Sequence, residues 1–191
     1  MADTQAAADQ PPGHAQAQGE VRFYHLQRMP VEKALRMILS RVVQRGQRAV
    51  VVSEDSTHIK ALDQALWSGN PDDFLPHGRV DDPAMAAFAA EQPIWLTDSV
   101  PDTDQPMING ANVLLQIDGA GTSPAAMAHY AIGCDLFDGH DDQAVKQARA
   151  RWVTYRDAGF DLTYWQETPQ GGWEQKAAHS ASAADKSLEA E

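Results

Sequence analysis

Residues 49–54 read AVVVSE. Four apolar residues in an unbroken row, three of them β-branched, leave no polar face. A strand of this kind needs cover on both sides, whereas an antiparallel sheet with one face in water shows alternation. A helix signal follows at once. Asp55 or Ser56 can cap a helix that buries Ile59, Leu62 and Leu66 and ends near Gly69. A doubly covered strand feeding an amphipathic helix is the unit of an α/β fold with a mostly parallel sheet.

The same alternation runs through the middle of the chain. VRFYHL (21–26) is strand-like. Pro30 opens a helix in its first turn. Val31, Ala34, Leu35, Ile38, Leu39 and Val42 then form one apolar face, and Gly46 closes the helix. AMAAFAAE (84–91) reads as a short helix, and PIWLTD (93–98) and NVLLQID (112–118) as strands. Ser123 is a cap before the helix-opening Pro124, and CDLFD (134–138) is a further strand. The last helix spans about Asp142 to Ala158, with Gly159 as its stop. The expected architecture is one Rossmann-like three-layer α/β domain over residues 20–166, with a mostly parallel central sheet.

The ends differ from this core. Residues 1–19 are rich in Ala, Gln, Pro and Gly with no apolar period, and the segment 167–191 is similar. The first reads as a disordered N-terminal extension and the second as a disordered or loosely packed tail. The N-terminus has neither the basic flank nor the apolar core of a secretory signal. No apolar run approaches the roughly 18 residues of a membrane span. The single cysteine, Cys134, excludes an internal disulfide and fits a reducing cytoplasm.

The net charge is −12. Its distribution is more telling than its size. Eight bases lie between Arg22 and Lys60 and four between Lys146 and Arg156, while residues 61–145 hold one base, Arg79, against 14 acids. A chain folded from these segments has a basic region and an acidic region, a matter of partner choice rather than fold. The overall negative charge argues against direct DNA binding, which requires neutralised phosphates.

The strand ends carry little chemistry. GAGTSP (119–124) follows a strand and opens a helix, where glycine-rich loops hold phosphate. The third glycine of GxGxxG is replaced by Pro124, which has no N–H, and there is no GK[ST]. Asp72, Asp73, Asp81, Asp82, Asp98, Asp102 and Asp104 lie mostly in loops, with no lysine between 61 and 145 to complete a nuclease site. His129, Cys134 and His140 lack the fourth ligand and tight spacing of a zinc site. Cys134 sits in an apolar strand, as a buried inert thiol does. There is no GxSxG. No cofactor, metal or catalytic residue is assigned, and a nucleotide-binding or metal-dependent nuclease enzyme is the alternative reading.

The last helix, QAVKQARARWVTYRDAGF (143–160), stands apart. Val145, Ala148, Trp152 and Tyr155 mark its apolar face. Lys146, Arg149, Val153 and Arg156 repeat the spacing one residue on, which sets a basic stripe beside that face with Trp152 at the boundary. Positive charge beside an aromatic suits an acidic, hydrophobic ligand such as a peptide C-terminus. It equally suits a plain surface helix with snorkelling arginines. A second unusual segment, LDQALWSGNPDDFLPHG (62–78), puts Trp67, Phe74, Leu75 and Pro76 in a loop, either as a local inward cluster or as an exposed patch.

Three stretches in order, VRFYHL, ALDQALWSGNPDDFLPHG and RARWVTYRDAGFDL, resemble the chi subunit of bacterial DNA polymerase III holoenzyme. The resemblance covers roughly residues 21–165. It implies a Rossmann-like accessory protein without a nucleotide site, not an enzyme, located with the replisome in the cytoplasm. It implies binding of the acidic, phenylalanine-ended tail of single-stranded DNA-binding protein (SSB). It also implies pairing with a small psi subunit of the clamp loader, or with a helicase at the same surface. DNA is then reached only indirectly. Arg149 and Trp152 match the family's tail-pocket arginine and aromatic, and Val153 stands where a lysine is often found. Lys146 and Arg156 are the candidates to compensate. Trp67, Phe74, Pro76 and His77 match the psi-docking surface.

Overall fold

The computed structural model describes residues 18–68, 74–100 and 107–181. Eight strands form one sheet in the order β3-β4-β2-β5-β6-β1-β7-β8. They are β1 (Glu20–Leu26), β2 (Ala49–Val52), β3 (His77–Arg79), β4 (Ile94–Thr97), β5 (Val113–Gln116), β6 (Ile132–Asp138), β7 (Asp161–Glu167) and β8 (Trp173–His179). All neighbours run parallel except β7 and β8. The helices are α1 (Val31–Gln44), α2 (Ser56–Trp67), α3 (Pro83–Ala86), α4 (Pro124–Met127) and α5 (Asp142–Asp157).

The sheet is covered on both faces, as the AVVV run requires. Ala49 and Val51 of β2 join Ala34, Leu35 and Leu39 of α1 and Ile59, Leu62 and Leu66 of α2 in one core cluster. Val50 and Val52 point the other way, into a cluster with Met127 of α4 and Ala148 and Tyr155 of α5. The alternation of a strand divides one apolar run between two cores. Tyr24 and Leu26 of β1 share the α1 face, while Val21 and Phe23 share the α5 face.

Local chemistry sets the helix ends. The Asp55 side chain accepts from the Thr57 and His58 N–H groups at 2.8 and 3.4 Å and starts α2. Pro30 is the residue before α1 rather than its first member. Gly46 and Gly159 follow α1 and α5 with φ of +66° and +87°, which a glycine adopts without steric cost.

Several elements differ from the sequence-based expectation. The stretch 84–91 divides into α3 and a 3-10 turn at Ala89–Glu91. The helix after Ser123 lasts four residues, because Tyr130 and Ala131 already lead into β6. β3 and β7 extend the sheet beyond the strands expected. The largest correction concerns the tail: Trp173–His179 is not loose but forms β8, antiparallel to β7. Its side chains are mostly exposed, and it is held by ladder hydrogen bonds and by the Trp173 ring edge-on to Tyr24, centroids 4.9 Å apart. The sheet of the domain therefore runs past residue 166. Residues 1–17 and 182–191, which fall in the expected disordered ends, lie outside the described residues.

Candidate protein-docking site

Asp141 starts α5 by accepting from the Gln143 N–H at 2.8 Å. Ala148 and Tyr155 are buried under the helix, and the Trp152 ring is tilted against Phe23 of β1, centroids 5.2 Å apart. Trp152 is half-buried, so part of its ring faces solvent. Lys146, Arg149 and Arg156 are exposed, and Val153 is 43% exposed. The side chains named in the expected tail site thus lie together along one exposed helix edge.

Their charges are not equally available. Arg156 is held by Asp157 through Nε at 2.9 Å and Nη2 at 2.8 Å. Among the described residues no hydrogen bond or ion pair holds Lys146 or Arg149. Arg149 is thus exposed with no partner among the described residues, and Arg156, expected to compensate for Val153, is already paired.

Arg151 has the opposite fate. Two residues on a helix are about 200° apart, which turns Arg151 inward where Arg149 faces out. It reaches Asp135 of β6, 1% exposed, through Nε at 2.6 Å and Nη2 at 2.9 Å. Gln116 Nε2 donates to the same carboxylate at 2.9 Å, and the Tyr155 hydroxyl donates to the Thr122 carbonyl at 2.7 Å. This buried network fixes the roll of α5 on the sheet. Sequence reading passed over Arg151; the signal was the two-residue spacing of the arginines in RAR.

Trp67 and Phe74 form the second exposed feature. They are 58% and 59% exposed, with ring centroids 5.6 Å apart. Leu75 beside them is buried and Pro76 is half-buried. His77 departs from the expected docking edge: it is 4% exposed. Its Nδ1 bonds the Leu75 carbonyl at 2.7 Å, its Nε2 lies 3.3 Å from Asp63, and its ring packs against Trp67. It supports the patch from beneath. Gly69, Pro71, Asp72 and Asp73 lie outside the described residues, as do Asp102 and Asp104.

A cleft of about 610 Å³ opens beyond the carboxyl ends of β1 and β6, between the start of α1 and one side of α5. In open α/β sheets this is where ligands gather. Here the β1–α1 loop amides are taken: Gln27, Arg28 and Met29 all donate to Oε2 of Glu167, at 2.9, 2.7 and 3.0 Å. In the GAGTSP turn Ala120 and Thr122 donate to Ile117 and Gln116 of the chain itself, and Ser123 caps α4. Asp81 is paired with Arg79 and Lys60, and Asp82 caps α3. His129 and His140 flank opposite ends of β6, and among the described residues no cluster of three or more His, Cys, Asp or Glu is placed to hold a metal. Cys134 is buried, which pushes its thiol up to about 12 and leaves it protonated.

The sequence profile of the DNA polymerase III chi subunit, HolC, matches residues 19–163. The chain belongs to the DNA polymerase III chi subunit family. It is thereby an accessory subunit of the replicase, a family role that is non-catalytic. β8 and Glu167 of this chi-family chain lie beyond the matched residues. No curated protein matches the sequence. Among solved structures, phage T4 UvsW superposes with a TM-score of 0.55 at 11% identity, over 80% of this chain and 42% of that one. The chain spans less than half of UvsW, and at this identity the likeness concerns the fold alone. No described helix is long and apolar enough to cross a membrane.

Proposed function

We propose that this chi-family chain is an adaptor in the cytoplasm between the DNA polymerase III clamp-loader assembly and SSB on the lagging-strand template. The exposed edge of α5 takes the acidic, phenylalanine-ended SSB tail. The Trp67–Phe74 patch, braced by Pro76 and His77, takes a psi-like subunit or a helicase. The observation that carries the reading is Arg149, exposed and without a partner among the described residues next to the half-exposed Trp152 ring, in a helix whose inward-facing Arg151 is consumed by Asp135. A guanidinium can grip a carboxylate in two parallel hydrogen bonds, and an adjacent apolar ring can flank a phenylalanine.

Titration of the full chain with a labelled SSB tail peptide tests this. Binding weakens with added salt, as exposed charge pairs do, and Arg149→Ala weakens it by about tenfold or more. Unchanged binding in Arg149→Ala removes the site assignment, and no binding by the wild-type chain removes the function.

A further inference from the structure

The edge of α5 faces a second wall on the sheet. Phe23 and His25 of β1 and Tyr164 of β7 lie on the side that α5 covers. Tyr164 is half-buried, and its hydroxyl is 2.5 Å from Nδ1 of His25. The His25 ring is stacked on Phe137, centroids 5.2 Å apart and planes 28° apart. Its Nε2 is buried against Gly139, where a Cβ would collide with it. The imidazole is therefore fixed on three sides, and among the described residues its one side-chain hydrogen bond is to Tyr164.

Arg149 is close enough for its charge to act on both rings, lowering the proton affinity of His25 and opposing the rise that burial gives Tyr164. The groups facing His25 are Tyr164 from β7, Arg149 from α5, Asp138 at the end of β6 and His140 just after it. With Val153 apolar and Arg156 paired to Asp157, Lys146 and Arg149 are the basic members of the stripe without a partner among the described residues.

This inference rests on the tail-binding reading above. We propose that Tyr164 is a second carboxylate-binding group of the α5 site and that His25 is its positioning residue. Neutral His25 accepts the Tyr164 O–H at Nδ1, which leaves that hydroxyl no proton to offer a ligand. Protonated His25 donates from Nδ1 to the Tyr164 oxygen, and the Tyr164 O–H turns to the incoming carboxylate. An acidic peptide then binds with proton uptake, and its affinity rises as the pH falls.

Burial keeps the imidazole below its ordinary value, with His140 and Arg149 acting in the same sense against the Gly139 backbone and Asp138. The expected rise accordingly lies below about pH 6.5. A bound carboxylate nearby favours the charged imidazole and moves the rise upward.

The experiment is fluorescence anisotropy of the full chain with a labelled acidic peptide ending in phenylalanine, as free acid and as C-terminal amide, between pH 5.5 and 7.5. Wild type binds the free acid several-fold more tightly at pH 5.5 than at 7.5. At pH 5.5 Tyr164→Phe loses about tenfold and most of the pH dependence, while His25→Gln folds and binds with a flat profile. The amide binds wild type and Tyr164→Phe alike. A Tyr164→Phe chain that keeps wild-type affinity and pH profile, while Arg149→Ala is weakened, overturns this proposal and spares the tail reading. Absence of wild-type binding at every pH overturns both.

Discussion

Arg151 meets Asp135 through two hydrogen bonds, 2.6 Å from Nε and 2.9 Å from Nη2, beneath a helix whose Arg149 makes none among the described residues. The two arginines are separated by a single alanine. One is a structural part of the sheet–helix interface, and the other belongs to the surface.

This division predicts opposite phenotypes. Arg151→Ala leaves the buried Asp135 carboxylate without its ion-pair partner, held by Gln116 alone among the described residues, a change that typically costs about 3–5 kcal/mol. Arg149→Ala removes an exposed charge and leaves stability within about 0.5 kcal/mol. Urea unfolding of both variants separates them. Equal destabilisation would mean that Arg149 also holds the fold. An Asp135→Asn/Arg151→Gln double variant should recover part of the loss, since it removes both buried charges together.

Glu167 makes the fold sensitive to acid. Burial works to raise its proton affinity, but the N–H groups of Met29, Arg28 and Gln27 outweigh it and hold the carboxyl below its usual range. The folded value lies below the unfolded one. The stability it contributes is thus complete above about pH 4.3 and fades as the pH falls through the folded value. Thermal melts against pH check this: Glu167→Gln is destabilised by about 2 kcal/mol at pH 7, and the difference from wild type shrinks below pH 4. A constant difference down to pH 2 would contradict the assignment.

β8 is expected to stabilise a domain whose family match ends before it. Trp173 covers Tyr24 on the α1 side, and the 168–172 turn is closed by the Thr168 N–H to the Gly172 carbonyl at 2.8 Å. Trp173→Ala loses the edge-on ring contact and part of the buried ring, roughly 1–3 kcal/mol, and should make the β8 amides exchange faster with solvent than those of β6. Hydrogen exchange resolved by segment gives the comparison, and equal protection of the two strands would show that β8 does not depend on Trp173.

How much of this was legible in the sequence depended on how local the cause was. The α1 face from Val31 to Val42, the Asp55 cap and the αL glycines after α1 and α5 are local signals, and they placed three helices to within about two residues. β3 has three residues and among the described residues pairs only with β4, so no pattern within it distinguishes it from loop. β8 reads WEQKAAH, without apolar alternation, and its anchor Tyr24 is far away in the chain. Its turn was visible in retrospect: Gly171 in TPQGG has φ +80°, a hairpin signal between two short runs. The stripe of Lys146, Arg149, Val153 and Arg156 was readable from helical spacing, but which charges are free was not. That depends on Asp157 for Arg156, and on Asp135, on a different strand, for Arg151.

The patch at the end of α2 yields the last prediction. Trp67 and Phe74 are mainly in water and cover one another, whereas His77 is packed beneath Trp67, with Nδ1 on the Leu75 carbonyl and Nε2 3.3 Å from Asp63. Exposed aromatics that touch one another at a surface suit anchors for a partner and contribute little to the monomer's own core. Trp67→Ala and Phe74→Ala should each leave the melting temperature of the isolated chain within a few degrees, while lowering affinity for a psi-like subunit by tenfold or more (hot-spot residues cost about 2 kcal/mol or more on truncation). His77→Ala opens a cavity under Trp67 and removes the hydrogen bond to the Leu75 carbonyl, so it should lower stability by about 2–3 kcal/mol before any effect on binding. Thermal unfolding together with isothermal titration against the purified partner distinguishes these outcomes. If Trp67→Ala destabilises the monomer as much as His77→Ala, the aromatic pair is part of the fold rather than a docking surface.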